Sequence, residues 1–202
     1  MDLEKKVSAM PLKKIHLACG NNIFPDWSNY DYAPIKGAGF VDLQKPLSFQ
    51  SDSVDYIYFE HALEHFDEVD GFNLLKEMCR VLKQSGVVRI VTPSLDTYVF
   101  RYLNWNNEIN SSHRKNFQSP EQFLNYAFFG ENISNDLKFL NNMRSSTIGH
   151  KFLYSKNDLI NKAKIAGFTN INVCEYKKSS YQIFNNIETR EDNLDLILEL
   201  VK

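Results

Sequence analysis

The sequence contains no Cys-x-x-Cys pair, no apolar run of membrane-spanning length and no surplus of positive charge. Its three cysteines, Cys19, Cys79 and Cys174, are odd in number and far apart. That argues against a disulfide framework or a zinc knuckle and leaves each as a small buried apolar residue. The opening stretch MDLEKKVSAMPLKK has no apolar core of the kind a secretory signal needs, so the expected compartment is the cytoplasm, with no membrane span. Net charge is −2 and the lysine pairs at 5–6, 13–14 and 177–178 are too short for a basic patch, so no nucleic-acid partner is expected. What is present is ordinary for a globular chain: 43% hydrophobic and 24% charged residues over 202 positions. A chain of that length buries roughly 70% of its unfolded surface, enough for a core without staples.

Residues 1–12 are polar and unpatterned and read as a flexible leader; residues 13–202 read as a single domain. Short apolar runs then alternate with helical spacing. Residues 14–18, 28–32, 39–42 and 54–59 read as strands, the last being richest in β-branched and aromatic residues. Phe72, Leu75, Met78, Cys79 and Leu82 give one apolar helical face over about 69–82, and Ser85-Gly86 ends it before a strand at 87–91. Ser155 and Gly167 bracket a later helix. Residues 169–176 and 194–201 read as two last strands that close antiparallel at the sheet edge, a short helix being the rival for the second. Strands alternating with helices imply βαβ units and a mostly parallel sheet. Residues 104–150 break the rhythm, with a helix opening at Pro120, and read as an insertion: a lid or acceptor-binding element, or alternatively the surface of a homodimer.

Open α/β sheets bind ligands beyond the carboxyl ends of their strands. At the exit of the first strand stand Ala18, Cys19, Gly20 and Asn21, whose small side chains let backbone N–H groups approach a ligand. Asp31, with Tyr32 beside it, ends the second strand and is placed to accept from a ribose diol. Asp42 ends the third and is placed to accept from an adenine amino group, with Leu43 against the ring. A single acid after a strand is more often a turn residue. Two at successive strand ends, after a small-residue turn, favour a nucleoside site.

The stretches KIHLACGNNIFPDWSNYDYAP, FVDLQKPLSFQSDSVDYIYFEHALEHF, LLKEMCRVLKQSGVVRIVTPS and GHKFLYSKNDLINKAKIAGFTNINV resemble the class I S-adenosylmethionine-dependent methyltransferases, and among them a short bacterial branch associated with cell-surface glycan biosynthesis. The resemblance spans most of residues 14–176. It implies a Rossmann-like three-layer α/β sandwich with a mostly parallel seven-stranded sheet and a C-terminal antiparallel hairpin. It also implies S-adenosylmethionine as cofactor, with Glu60 and His61 lining its methionine end. The chain departs from the family in three places, one being the RVLKPGG-like motif, where Gln84 and Ser85 stand for Pro and the first Gly. Only the central glycine of the usual Gly-x-Gly-x-Gly remains, and the first crossover helix is cut to a turn at Phe24-Pro25-Asp26-Trp27.

His61-Ala62-Leu63-Glu64-His65 also matches H-x-x-E-H, a zinc-peptidase pattern in which both histidines would share a helix face. The segment follows a strand directly and no third ligand is evident in the sequence, so no metal is expected. For methyl transfer to a hydroxyl, a base contributes about 10²–10⁴-fold. His61, directly after the fourth strand, and His150, at the end of the insertion, are the expected catalytic residues; His16 and His65 read as structural. Tyr98, Tyr102, Trp105 and Phe117 are either an aromatic wall for a sugar ring or part of a core.

The function these readings converge on is O-methylation of a sugar or a sugar-linked small molecule, the acceptor being a small molecule or glycan precursor. The alternatives are N- or O-methylation of a small metabolite, and a catalytically inactive nucleotide-binding protein of the same fold. A nicotinamide oxidoreductase is disfavoured, because GxGxxG is missing.

Overall fold

The computed structural model describes residues 11–129, 149–190 and 194–202. Most of the expected leader and residues 130–148 of the expected insertion lie outside the described residues. The strands are β1 (Lys14–Leu17), β2 (Ser28–Asp31), β3 (Gly39–Phe40), β4 (Val54–Glu60), β5 (Leu82–Pro93), β6 (Asn170–Val173) and β7 (Asp195–Val201). The helices are α1 (Glu68–Val81), α2 (Leu95–Leu103), α3 (His113–Asn116), α4 (Pro120–Phe129) and α5 (Lys156–Ala166).

One seven-stranded sheet runs in the order β3-β2-β1-β4-β5-β7-β6. β1 pairs parallel with β2 and with β4, β2 with β3, and β4 with β5. β7 is antiparallel to both β5 and β6. The expected α/β sheet with its closing antiparallel hairpin is therefore the observed one, with β7 inserted between its neighbours and β6 at the edge. Burial explains the central strands: Ile57, Tyr58 and Phe59 are fully buried, as in strands covered on both faces.

The first covering layer is helical. Asp67 caps α1 by accepting the Asp70 N–H at 2.8 Å, and Leu74, Leu75, Met78 and Val81 face the sheet. Gly71 lets that helix pass close to Tyr154: a Cβ there would lie 2.3 Å from the tyrosine Oη. α5 has the ends the sequence predicts. Ser155 Oγ accepts the Asp158 N–H at 3.2 Å, and Gly167 terminates the helix at φ 110°.

On the opposite face the first crossover is a turn, as expected, and side chains stand where a helix would pack. Phe24 stacks on His16 with centroids 4.3 Å apart at 16°, and with Trp27, Tyr56, Tyr181 and Phe184 it covers Tyr58, Val87 and Val91. The Tyr181 and Phe184 part is anchored by Arg89, which is fully buried on β5. Its Nε donates to Glu188 Oε1 and a terminal nitrogen donates to Glu199 Oε1, both at 2.6 Å. Burial alone would lower the Arg89 pKa, but the two carboxylates raise it, so the guanidinium stays charged.

The aromatics of the insertion form a third, smaller core and not a wall. Tyr98, Trp105 and Phe117 each lie within 5.6 Å, centroid to centroid, of Phe123, which is itself fully buried. Tyr102 and one side of Trp105 also line an open surface groove, beside Leu103 and Pro120. Apolar area drives this outcome: Phe123 and Ala127 on α4 give the rings a surface to bury against.

Candidate functional site

Strand order reverses between β1 and β4, so their carboxyl ends bound the crevice where such sheets take ligands. The β1 exit is a tight turn. The Asn22 N–H donates to Cys19 O at 3.0 Å, with Ala18 at φ 52° and Gly20 at φ 52°. Ala18 thus holds a left-handed conformation that an alanine adopts at some strain. Cys19 is buried and its burial raises the thiol pKa, which makes it a packing residue and not a nucleophile. A Cβ on Gly20 would meet nothing within 4 Å, so the backbone at that point faces open space. Asn21 is exposed on the same turn.

Asp31, at the end of β2, reaches this turn. Its Oδ2 accepts the Gly20 N–H and its Oδ1 the Ala33 N–H, both at 2.8 Å. Each carboxylate oxygen has a second lone pair, so both can still accept from a diol. Tyr32, exposed next to it, packs at 5.6 Å on the exposed ring of Phe40 at the end of β3. Asp42 lies two residues beyond β3 and closes its own turn, accepting the Gln44 N–H at 3.1 Å and pairing with Lys45 Nζ at 3.1 Å. Leu43 packs partly on the core and lines a surface groove with Pro46 and Asn73. An open glycine backbone, a carboxylate beside it and flanking aromatics fit the nucleoside half of the implied cofactor.

The β4 exit differs from expectation. Glu60 stands at the strand end, but its carboxylate is taken up by the chain itself. Oε1 accepts the Thr189 N–H at 3.0 Å and the Arg190 N–H at 3.4 Å, and the Thr189 hydroxyl donates to Oε2. Asn22 Nδ2 donates in turn to Thr189 Oγ1 at 3.1 Å. The 188–190 segment therefore bridges the two strand exits.

His61 is placed after β4 as expected, at φ 47°, but it is not available as a base. Nε2 faces Asp195 Oδ2 at 3.1 Å and Nδ1 faces Glu64 Oε1 at 3.5 Å. Burial alone would lower its pKa, but the hydrogen bonds and charges of Asp195 and Glu64 raise it to about 10. A cation with both nitrogens turned to carboxylates has no lone pair to offer an acceptor. This arrangement speaks against the base role expected of His61.

His150 is half-buried and is brought to the same end of the sheet, because Lys151 and Phe152 donate their N–H groups to Glu64 O at 2.8 and 3.3 Å. Its Nδ1 lies 2.5 Å from Ala127 O and its ring centroid 5.2 Å from that of His65. His65 Nδ1 lies 3.0 Å from Gly149 O. Carbonyls only accept, so in both rings Nδ1 carries a hydrogen, and in the neutral ring Nε2 then holds the lone pair. His65, expected to be structural, is thus a partner of His150. The H-x-x-E-H helix does not form: Leu63–His65 is a single 3-10 turn, and His61 faces Asp195 instead.

Residues 36–90, from the approach to β3 through most of β5, match a family described as a methyltransferase domain. Among solved structures, an S-adenosylmethionine-dependent methyltransferase from Mesorhizobium loti is similar over 95% of this chain and 91% of its own, with TM-score 0.53 and 17% identity. One from Archaeoglobus fulgidus is similar over 95% and 86%, with TM-score 0.54 and 16% identity. No curated protein matches the sequence. The matched family segment is 55 of the chain's 202 residues, and at 16–17% identity these solved structures show a shared fold. No helix among the described residues is long and apolar enough to cross a membrane.

Sequence reading missed Thr189, Asp195 and the pairing of His65 with His150. Asp195 is 134 residues from His61 and Thr189 is 129 from Glu60, so no local spacing could have joined them.

Proposed function

We propose that this chain methylates a hydroxyl of a sugar or sugar-linked small molecule in surface-glycan synthesis, with S-adenosylmethionine as donor. The observation that carries the donor assignment is Asp31, held 2.8 Å from the Gly20 N–H beside open backbone at the strand-order reversal. The acceptor class rests on the resemblance of EHALEHF and RVLKQSG to the glycan-associated branch. S-adenosylmethionine supplies an electrophilic methyl group on a good leaving sulfur. The residues of the chain have three tasks. Ala18, Cys19, Gly20, Asn21, Asp31 and Tyr32 would hold the nucleoside, with Asp42 and Leu43 at its outer edge. The bridge from Asn22 through Thr189 to Glu60 would hold the two strand exits that flank the cofactor relative to one another. The acceptor's proton leaves at the His65–His150 pair, where imidazole lone pairs remain, with His150 as the base.

Calorimetry with S-adenosylmethionine, S-adenosylhomocysteine and NAD tests the donor half. The adenosyl ligands should bind and NAD should not; binding of neither adenosyl ligand would overturn the reading. A panel of sugar nucleotides, oligosaccharides and small amines, read by S-adenosylhomocysteine release, tests the acceptor half. Turnover only with amines would move the activity to N-methylation of a metabolite. A second reading is favoured by the occupied Glu60 carboxylate and the strained Ala18: a binding protein without turnover. Tight adenosyl binding with no product from any acceptor would select it.

A further inference from the structure

Glu64 is fully buried, yet only one of its carboxylate oxygens is satisfied. Oε2 accepts the Thr92 hydroxyl at 3.0 Å, whereas Oε1 accepts no hydrogen bond; His61 Nδ1 is 3.5 Å away and His65 Nε2 is 4.0 Å away. The His61 cation balances its charge from 3.5 Å, but the buried oxygen still lacks a hydrogen bond and has room for a further partner. Two imidazoles stand beside it. Glu64, His65 and His150 each offer one ligand atom, and all three atoms lie within 4.8 Å of one another. The ring orientations are those of metal-binding histidines: each Nδ1 is committed to a backbone carbonyl, Gly149 O for His65 and Ala127 O for His150. That arrangement fixes the tautomer and leaves Nε2 as the donor.

We propose that Glu64, His65 and His150 bind one divalent transition-metal ion of the zinc class. Two imidazoles and one carboxylate suit Zn²⁺ or Fe²⁺ and discriminate against Mg²⁺ and Ca²⁺, which require oxygen ligands. Metal–ligand bonds of about 2.0–2.2 Å place tetrahedral donors roughly 3.4 Å apart, so the three side chains close by about an ångström on binding. Three protein ligands leave at least one position for water or an acceptor oxygen. An ion there would serve the acceptor by acidifying a bound hydroxyl instead of taking its proton on His150. This site differs from the H-x-x-E-H pattern of the sequence, because His61 belongs to Asp195 and His150 comes from 86 residues beyond Glu64.

The binding claim stands apart from the methyltransferase reading, because its test uses neither cofactor nor acceptor. Chelator-stripped full-length protein is titrated with Zn²⁺ by calorimetry and with Co²⁺ by visible absorption. One equivalent of Zn²⁺ should bind at micromolar concentration or tighter and raise Tm, while millimolar Mg²⁺ should not. His65→Ala and His150→Ala should each weaken Zn²⁺ binding at least tenfold while keeping the wild-type circular dichroism spectrum. His65→Asn and His150→Gln serve if an alanine variant does not fold. Absence of saturable Zn²⁺ binding by the wild-type protein would overturn the proposal, and so would unchanged affinity in folded variants at both histidines.

Discussion

The Glu60 carboxylate accepts the backbone N–H of Thr189 at 3.0 Å across 129 residues of sequence. Thr189 follows Glu188, which Arg89 grips in the interior, so the contact at the β4 exit is held from behind by a buried ion pair. Thr189→Val keeps the backbone donor and removes the hydroxyl that joins Glu60 to Asn22. The expected loss is about 1–2 kcal/mol of stability, one to two hydrogen bonds, measured by urea unfolding. Glu188→Ala should cost more, about 3–5 kcal/mol, because Arg89 is left buried with one carboxylate.

Asp31→Ala should weaken S-adenosylhomocysteine binding tenfold or more in calorimetry. It removes the expected acceptor for the ribose diol and also the carboxylate that holds the Gly20 N–H. Hydrogen bonds to a charged group contribute about 1.5–3 kcal/mol each. Affinity within twofold of wild type would move the nucleoside elsewhere.

His61→Ala should act on the fold before it acts on chemistry. The substitution leaves Asp195 and Glu64, both buried, without the cation between them, and an uncompensated buried charge costs about 3–5 kcal/mol. Denaturant unfolding beside turnover separates the roles: wild-type stability with abolished turnover would restore His61 to the proton transfer.

These contacts mark the limit of what was legible in the sequence. The β1 turn, Asp31 and the caps at Ser155 and Gly167 could be read because each depends on neighbours within a few residues, where backbone geometry dictates residue type. β4 and the 87–91 part of β5 could be read because strands covered on both faces are rich in apolar residues. The fate of Glu60 and His61 could not, because a carboxylate or imidazole at a strand exit faces whichever segment arrives over it. Here Thr189 and Arg190 arrive over Glu60, and Asp195 over His61. The insertion's rings could not be assigned either, since a wall and a small core have the same composition until Phe123 is known to stand at their centre.

Stability should fall on the acid side of neutrality through His16. Its ring is 2% exposed and stacked on Phe24, and burial, outweighing the hydrogen bond to Asn29, lowers its pKa to about 4. A group depressed in the fold contributes stability that is present above its unfolded pKa of about 6.5 and lost as pH falls from there through about 4. At about 1.4 kcal/mol per unit, the loss is on the order of 3–4 kcal/mol. Urea midpoints between pH 7 and 4.5 should fall less steeply for His16→Phe than for wild type.

Gly71→Ala should destabilise by about 1–3 kcal/mol, the cost of overpacking, because the new methyl would lie 2.3 Å from Tyr154 Oη. Tyr154→Phe removes the offending atom, so the double variant should recover most of the loss. A purely additive cycle in thermal or urea unfolding would place the strain somewhere other than this contact.

The missing first crossover helix affects the order in which the molecule can be assembled. The roof over β1 and β4 is completed by Tyr181 and Phe184, the bridge by Thr189 and the sheet by β7. A ribosome delivers all of these after β1 to β5. The strands that would cradle a nucleoside emerge early but remain uncovered on one face until the last segments follow. A nascent chain thus exposes Tyr58 and Val91 until Tyr181 and Phe184 have emerged, so strands made early wait for cover made about ninety residues later.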